Sequence, residues 1–156
     1  MTYNVIQLQK SRLMALMLAL SMLITGCTVT LVSRYDEQTD VNITALQKKF
    51  EAYFLKIEGA AFPDCSFPAN RDFYDDVSVQ LSSTRVRANA IPNNDITLAQ
   101  LDALSQAISA LEKAQKMRDS KSSCLPPEII KTDRTLFNSI FTAILKFELA
   151  KKRGEI

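Results

Sequence analysis

The sequence predicts an all-α protein, an antiparallel up-down-up-down four-helix bundle formed by residues 36–156. Two observations predict it. Apolar residues recur at alternating spacings of three and four in four separate blocks, the period of one face of an α-helix. Proline, glycine and Asn/Asp/Ser clusters break the chain between those blocks. Connections this short make consecutive helices antiparallel neighbours, and no internal repeat or low-complexity segment competes with the reading.

The first block carries Ile43, Leu46, Phe50, Tyr53 and Ile57, with Phe54 widening the stripe. Asp36, Glu37 and Asp40 open it, where carboxylates complement the helix dipole, and Gly59 ends it. Pro63 and Pro68 then forbid a continuous helix through the loop 59–70. Asn70 is expected to cap the second helix, with Asp72 in the first turn. That helix has Tyr74, Val77, Leu81, Thr84, Ala88 and Ile91 on its seam. Val77, Val79, Val86 and several Ser and Thr residues lower its propensity, and Val77-Ser78-Val79-Gln80-Leu81 alternates in a way that also reads as a strand.

Pro92-Asn93-Asn94-Asp95 forms a turn, after which Thr97 opens a third helix with Leu101, Leu104, Ile108 and Leu111 on its seam. Ala99, Ala103, Ala107, Ala110 and Ala114 raise its propensity and permit close approach by a neighbour. It ends near Asp119–Ser123. Pro126 and Pro127 open the last block, with Glu128 in its first turn. Its expected seam is Ile130, Phe137, Ile140, Ile144 and Phe147, flanked by Leu136, Phe141 and Leu145. Lys151, Lys152 and Arg153 close it and are expected as a solvated helix terminus, favoured by the dipole.

Composition narrows function by exclusion. The chain has 156 residues, 47% hydrophobic and 23% charged, enough for one core in one domain. It contains no histidine, which removes Ser-His-Asp and Cys-His catalysis and every His-ligated metal. A net charge of +2 gives no basis for nucleic-acid binding. Asp36 and Asp40 share a helical face, and Asp72, Asp75 and Asp76 are similarly spaced. A hard cation needs six or more oxygens in a loop, so capping and charged first turns account for these acids better. Di-metal bundle chemistry needs Glu-x-x-His pairs, which a chain without histidine lacks. No catalytic, cofactor-binding or metal-ligating residue is therefore expected, and Arg85 and Arg87 are expected to pair with surface acids.

Residues 1–26 read as an address. Lys10 and Arg12 precede the run 13–24, which is apolar, too short for the roughly 20 residues of a spanning helix and suited to a signal segment. It closes on Ile24-Thr25-Gly26-Cys27, which resembles the lipobox of bacterial lipoproteins. The resemblance implies that the signal is cut before Cys27, that Cys27 carries the acyl chains (palmitate among them), and that residues 27–35 form the lipidated anchor and linker. Thr28, where an Asp is associated with inner-membrane retention, implies sorting to the outer membrane, facing the periplasm. Thr28–Tyr35 could extend roughly 26 Å at about 3.3 Å per residue. The stretch Leu31–Glu58 is also similar to small helical lipoproteins of proteobacteria, a likeness that brings no activity with it.

With Cys27 lipidated, Cys65 and Cys124 remain in an oxidising compartment. They fall in the first and third loops, which an up-down-up-down bundle places at one end, so a disulfide is available. Closing about 60 residues, it would contribute about 4 kcal/mol. The prolines and that bridge would hold Phe62 and Phe67 rigid, either as caps on the core or as a candidate partner-binding pair. The expectation is a non-enzymatic, lipid-anchored envelope protein acting as a binding or structural module, with its membrane contact through Cys27 and a protein partner in the envelope. A pilotin-like chaperone for an outer-membrane secretin and a carrier of a small apolar ligand are the alternatives.

Overall fold

The computed structural model describes residues 31–156 and, before them, Met14 alone; the rest of the predicted leader and Cys27 lie outside the described residues. From residue 31 onward the described residues form four α-helices: α1 (Glu37–Glu58), α2 (Arg71–Asn89), α3 (Asp95–Asp119) and α4 (Pro127–Arg153), with a 3-10 turn at Pro68–Asn70. No strand occurs among the described residues, and Val77–Leu81 is helical. Packing of Val77 and Leu81 into the core outweighs the weak helix propensity of the valines, Ser and Thr in this helix.

The helices form a square. α1 packs on α2 and α4, α3 packs on the same two, and the diagonal pair α1 and α3 meets through side chains, Tyr53 reaching Gln115. The compact unit runs from Leu31 to Ile156, so part of the segment read as linker is body. The predicted seams of α1 and α3 are all buried. On α2, Tyr74, Val77, Leu81, Thr84 and Ala88 are buried, but Ile91 lies beyond the helix in the following turn.

The seam of α4 needs correction. It runs through Ile130, Phe137, Phe141 and Ile144, then continues through Glu148 and Lys151. Ile140 and Phe147 are half-buried at its edge, and Leu136 is exposed. The reason is aromatic packing between α1 and α4. Phe50 stacks on Phe137 at 4.4 Å between ring centroids and meets Phe141 at 5.6 Å. Such pairs add about 0.5–1.5 kcal/mol beyond the area they bury. Centring Phe137 and Phe141 on α1 rotates Ile140 and Phe147 toward α3.

Cys65 and Cys124 are joined, with their Cα atoms 5.6 Å apart. The loop 59–70 and the connection from α3 to α4 therefore share one pole. The segment before α1, the turn after α2 and the end of α4 share the other: Ser33 donates its backbone N–H to the Asn93 carbonyl.

Candidate functional sites at the two poles

Of the polar residues singled out by spacing, Asp36, Asp40, Asp75, Asp76, Arg85 and Arg87 have structural partners, and Asp72 is exposed in the first turn of α2. Asp36 is the N-cap of α1 and accepts from the Thr39 N–H. Its carboxylate also takes two 2.6 Å bonds from Arg87, and that guanidinium holds the Asp36 carboxyl well below the usual carboxylate range. Asp40 accepts from the Tyr35 hydroxyl at 2.8 Å, a bond that pushes the phenol up to about 12. Arg85 pairs with Asp102, Lys49 with Asp76 and Arg71 with Asp75. Among the described residues no group of three or more Cys, Asp or Glu side chains is placed to hold a metal.

The pole where the chain enters α1 holds what the sequence did not announce. Lys151 is not a solvated terminal residue. It is 8% exposed, and its Nζ lies 2.6 Å from Glu148 Oε1. The same ammonium reaches Ser33 Oγ at 3.1 Å, Asn94 Oδ1 at 3.2 Å and Thr97 Oγ1 at 3.0 Å. Thr97 donates to Glu148 Oε1 at 2.9 Å, and Ser33 donates to Asn94 Oδ1 at 2.7 Å. Asn94 in turn donates to the Ala88 carbonyl at 2.9 Å. One cation thus ties the incoming segment, the turn after α2, the start of α3 and the end of α4. Lys152, the next residue, lies over the Tyr35 ring at 5.0 Å.

The opposite pole is built on a neutral network. The Tyr53 and Tyr74 hydroxyls are 2.8 Å apart, and both lie within bonding distance of Gln115 Oε1, at 2.9 and 2.6 Å. Gln115 Nε2 donates to the Cys65 carbonyl at 2.5 Å, connecting α1, α2 and α3 to the disulfide loop. Burial pushes the Tyr53 phenol up to about 12, and that of Tyr74 up as well. Asn70 does not cap α2 with its side chain. Its amide faces back into the loop, donating to the Asp64 and Ser66 carbonyls and accepting from Lys56. Loop closure takes the group that the sequence assigned to the helix.

Phe62 and Phe67 part company. Phe67 packs half-buried against the core with its ring 5.5 Å from that of Tyr74, and Lys116 lies over it at 4.2 Å. Its N–H is held by Asp119. Phe62 is 43% exposed on the same loop. Beside this pole a groove of about 420 Å³ runs between the end of α3 and the start of α4, lined by Ala114, Met117, Arg118, Lys121, Leu125 and Ile129 among others.

The signal for both networks was present. Glu148 and Lys151 continue the α4 seam at spacings of four and three, and Gln115 continues the α3 seam four residues after Leu111. Seam position, not residue type, marked them as buried.

Compared with known proteins, the chain matches no family model, no curated protein and no solved structure.

Proposed function

We propose that this protein is a non-enzymatic, lipid-anchored module of the bacterial outer membrane, held on the periplasmic side through acyl chains on Cys27 and acting by binding or by supporting envelope structure. The observation that carries the reading is the Ile24-Thr25-Gly26-Cys27 junction behind a basic flank and a short apolar run. The fold supports it in two ways. Ser33, six residues after Cys27, is buried in the Lys151 cluster, so at most five residues could act as free tether. At about 3.3 Å each they would span roughly 17 Å, which keeps the pole bearing Ser33 next to the lipid and turns the disulfide pole away from it. Asp36, Asp40, Asp75 and Asp76, four of the acids that could have suggested chemistry, are engaged in a cap, a hydrogen bond and ion pairs.

A second reading, a pilotin-like chaperone for an outer-membrane secretin, is favoured by the groove between α3 and α4, since a bundle groove is a recognised seat for an amphipathic helix. The primary reading is tested by growing cells with an alkyne-bearing palmitate analogue and fractionating the envelope. The wild-type chain is expected to carry the label and to sediment with the outer membrane, and Cys27→Ala to carry none. Equal labelling of both, or a wild-type chain free in the periplasm, would overturn it.

A further inference from the structure

Between α3 and α4 the surface is apolar in a pattern that a solvated face does not need. On α3, Ile96, Ala103, Ala110 and Met117 follow one another at intervals of seven, and all four are exposed, Ile96 by 49% and Met117 by 56%. On α4, Ile129, Leu136 and Ala143 repeat the interval, also exposed, Ile129 by 41% and Leu136 by 48%. Ala107 and Ala114 on α3 and Ile140 on α4 lie one step further in, packed half-buried on the core. The exposed stripe of α3 lies three or four residues from Ala107 and Ala114, and Leu136 and Ala143 lie four and three residues from Ile140. At the disulfide pole the groove itself brings Met117 and Ile129 together. Seven residues are two helical turns with a drift of about 20°, so stripes at this interval match the seam of another helix laid alongside. From Ile96 to Met117 the stripe spans roughly 32 Å at about 1.5 Å per residue, the length of three heptads.

The charge around the cleft says what kind of helix fits. Arg118 and Lys121 line the groove and no carboxylate does. Lys113, one turn before Met117, is exposed as well. None of the three lies within ion-pair distance of a carboxylate among the described residues. Asp119, beside Arg118, is turned to the Phe67 N–H instead. A second copy of this chain fits poorly. Side-by-side parallel pairing would set Arg118 and Lys121 against their own copies, and antiparallel pairing would point two membrane tethers in opposite directions.

We infer that the α3–α4 cleft docks an amphipathic helix of a partner protein, about three heptads long, with an apolar seam and acidic residues toward the disulfide pole. This rests on the binding-module reading and names its partner's chemistry. The test uses the full chain purified from membranes into phosphatidylcholine nanodiscs, with empty nanodiscs as blank. The probe is a fluorescein-labelled synthetic helix of three heptads with Leu at its seam and Glu flanking one end, compared with the same peptide carrying Lys. Anisotropy is expected to show binding of the Glu peptide and at least tenfold weaker binding of the Lys peptide. Arg118→Glu/Lys121→Glu is expected to reverse that order. Ala110→Glu, a change at an exposed site, is expected to abolish binding without changing the melting temperature.

Equal binding of the two peptides, or unaltered binding by Ala110→Glu, overturns the inference. So does a cross-linked homodimer that Ala110→Glu removes, because the cleft would then belong to a second copy. The intact mass of the same sample reports acylation of Cys27. A missing acyl mass would sink the tethering while leaving peptide binding to be scored on its own.

Discussion

The two poles of the bundle solve one problem with opposite chemistry. Each must hold three or four chain segments together where the helical core runs out. The pole of the incoming chain does so with a buried ion pair, Glu148–Lys151, whose ammonium also lies within bonding distance of Ser33, Asn94 and Thr97. The far pole uses a covalent link, Cys65–Cys124, over a neutral network of Tyr53, Tyr74 and Gln115. A covalent link acts mainly on the unfolded chain, by restricting it. A buried ion pair acts on the folded state alone, and its two halves depend on each other: either left without the other is a buried charge without compensation. The difference teaches that the far pole is the one sensitive to reductant, whereas the near pole depends on keeping both members of its ion pair.

The largest effect should come from opening the far pole. Cys65→Ser/Cys124→Ser, or the wild-type chain in reductant, is expected to lose about 4 kcal/mol, lowering the melting temperature by about 12–20 °C. A melt insensitive to reductant would show that the link contributes nothing. Next comes the near pole. Lys151→Met is expected to cost about 3 kcal/mol, because Glu148 keeps a buried carboxylate whose cation is gone. Glu148→Leu/Lys151→Met is expected to recover most of that loss in urea unfolding, and a double variant as unstable as the single would refute the ion-pair account.

The smallest effect is confined to high pH. Tyr53 and Tyr74 titrate above their ordinary value when folded, whereas in the unfolded chain both titrate near 10. A folded pKa above the unfolded one leaves stability complete below about pH 10 and withdraws it as pH rises, by about 2 kcal/mol for Tyr53 on approaching pH 12. Tyrosinate absorbance is expected to show the two buried phenols ionising together with loss of helicity. Separate ionisation of both in a still-folded protein would break the assignment.

How much of this was legible in advance follows the same division. The far pole could be read from sequence because its elements are of recognisable kinds: two cysteines in loops that topology brings together, prolines and aromatics. The helices were legible because apolar side chains at a period of 3.6 residues have one way to be buried. The near pole was legible in spacing alone and not in residue type. Lys151 followed by Lys152 and Arg153 at a helix end is the ordinary pattern of a solvated terminus, which the dipole explains without burial. Only the unbroken spacing from Ile144 to Glu148 to Lys151 pointed inward. Asn70 failed for a related reason: its type suits a helix cap, but the loop 59–70 had carbonyls nearer at hand. The α4 seam slipped by one residue because Phe141 and Ile140 are equally apolar, and only the partner surface on α1 chooses between them.

The burial of Ser33 sets a boundary for anyone who shortens this protein. Trimming to the first helical residue, Glu37, would delete a hydroxyl that Lys151 binds, together with the Asp36 cap and the phenol beneath Lys152. A shortened version should begin no later than Leu31, two residues ahead of that serine, since the compact unit begins where its buried hydrogen bonds begin and not where its first helix does.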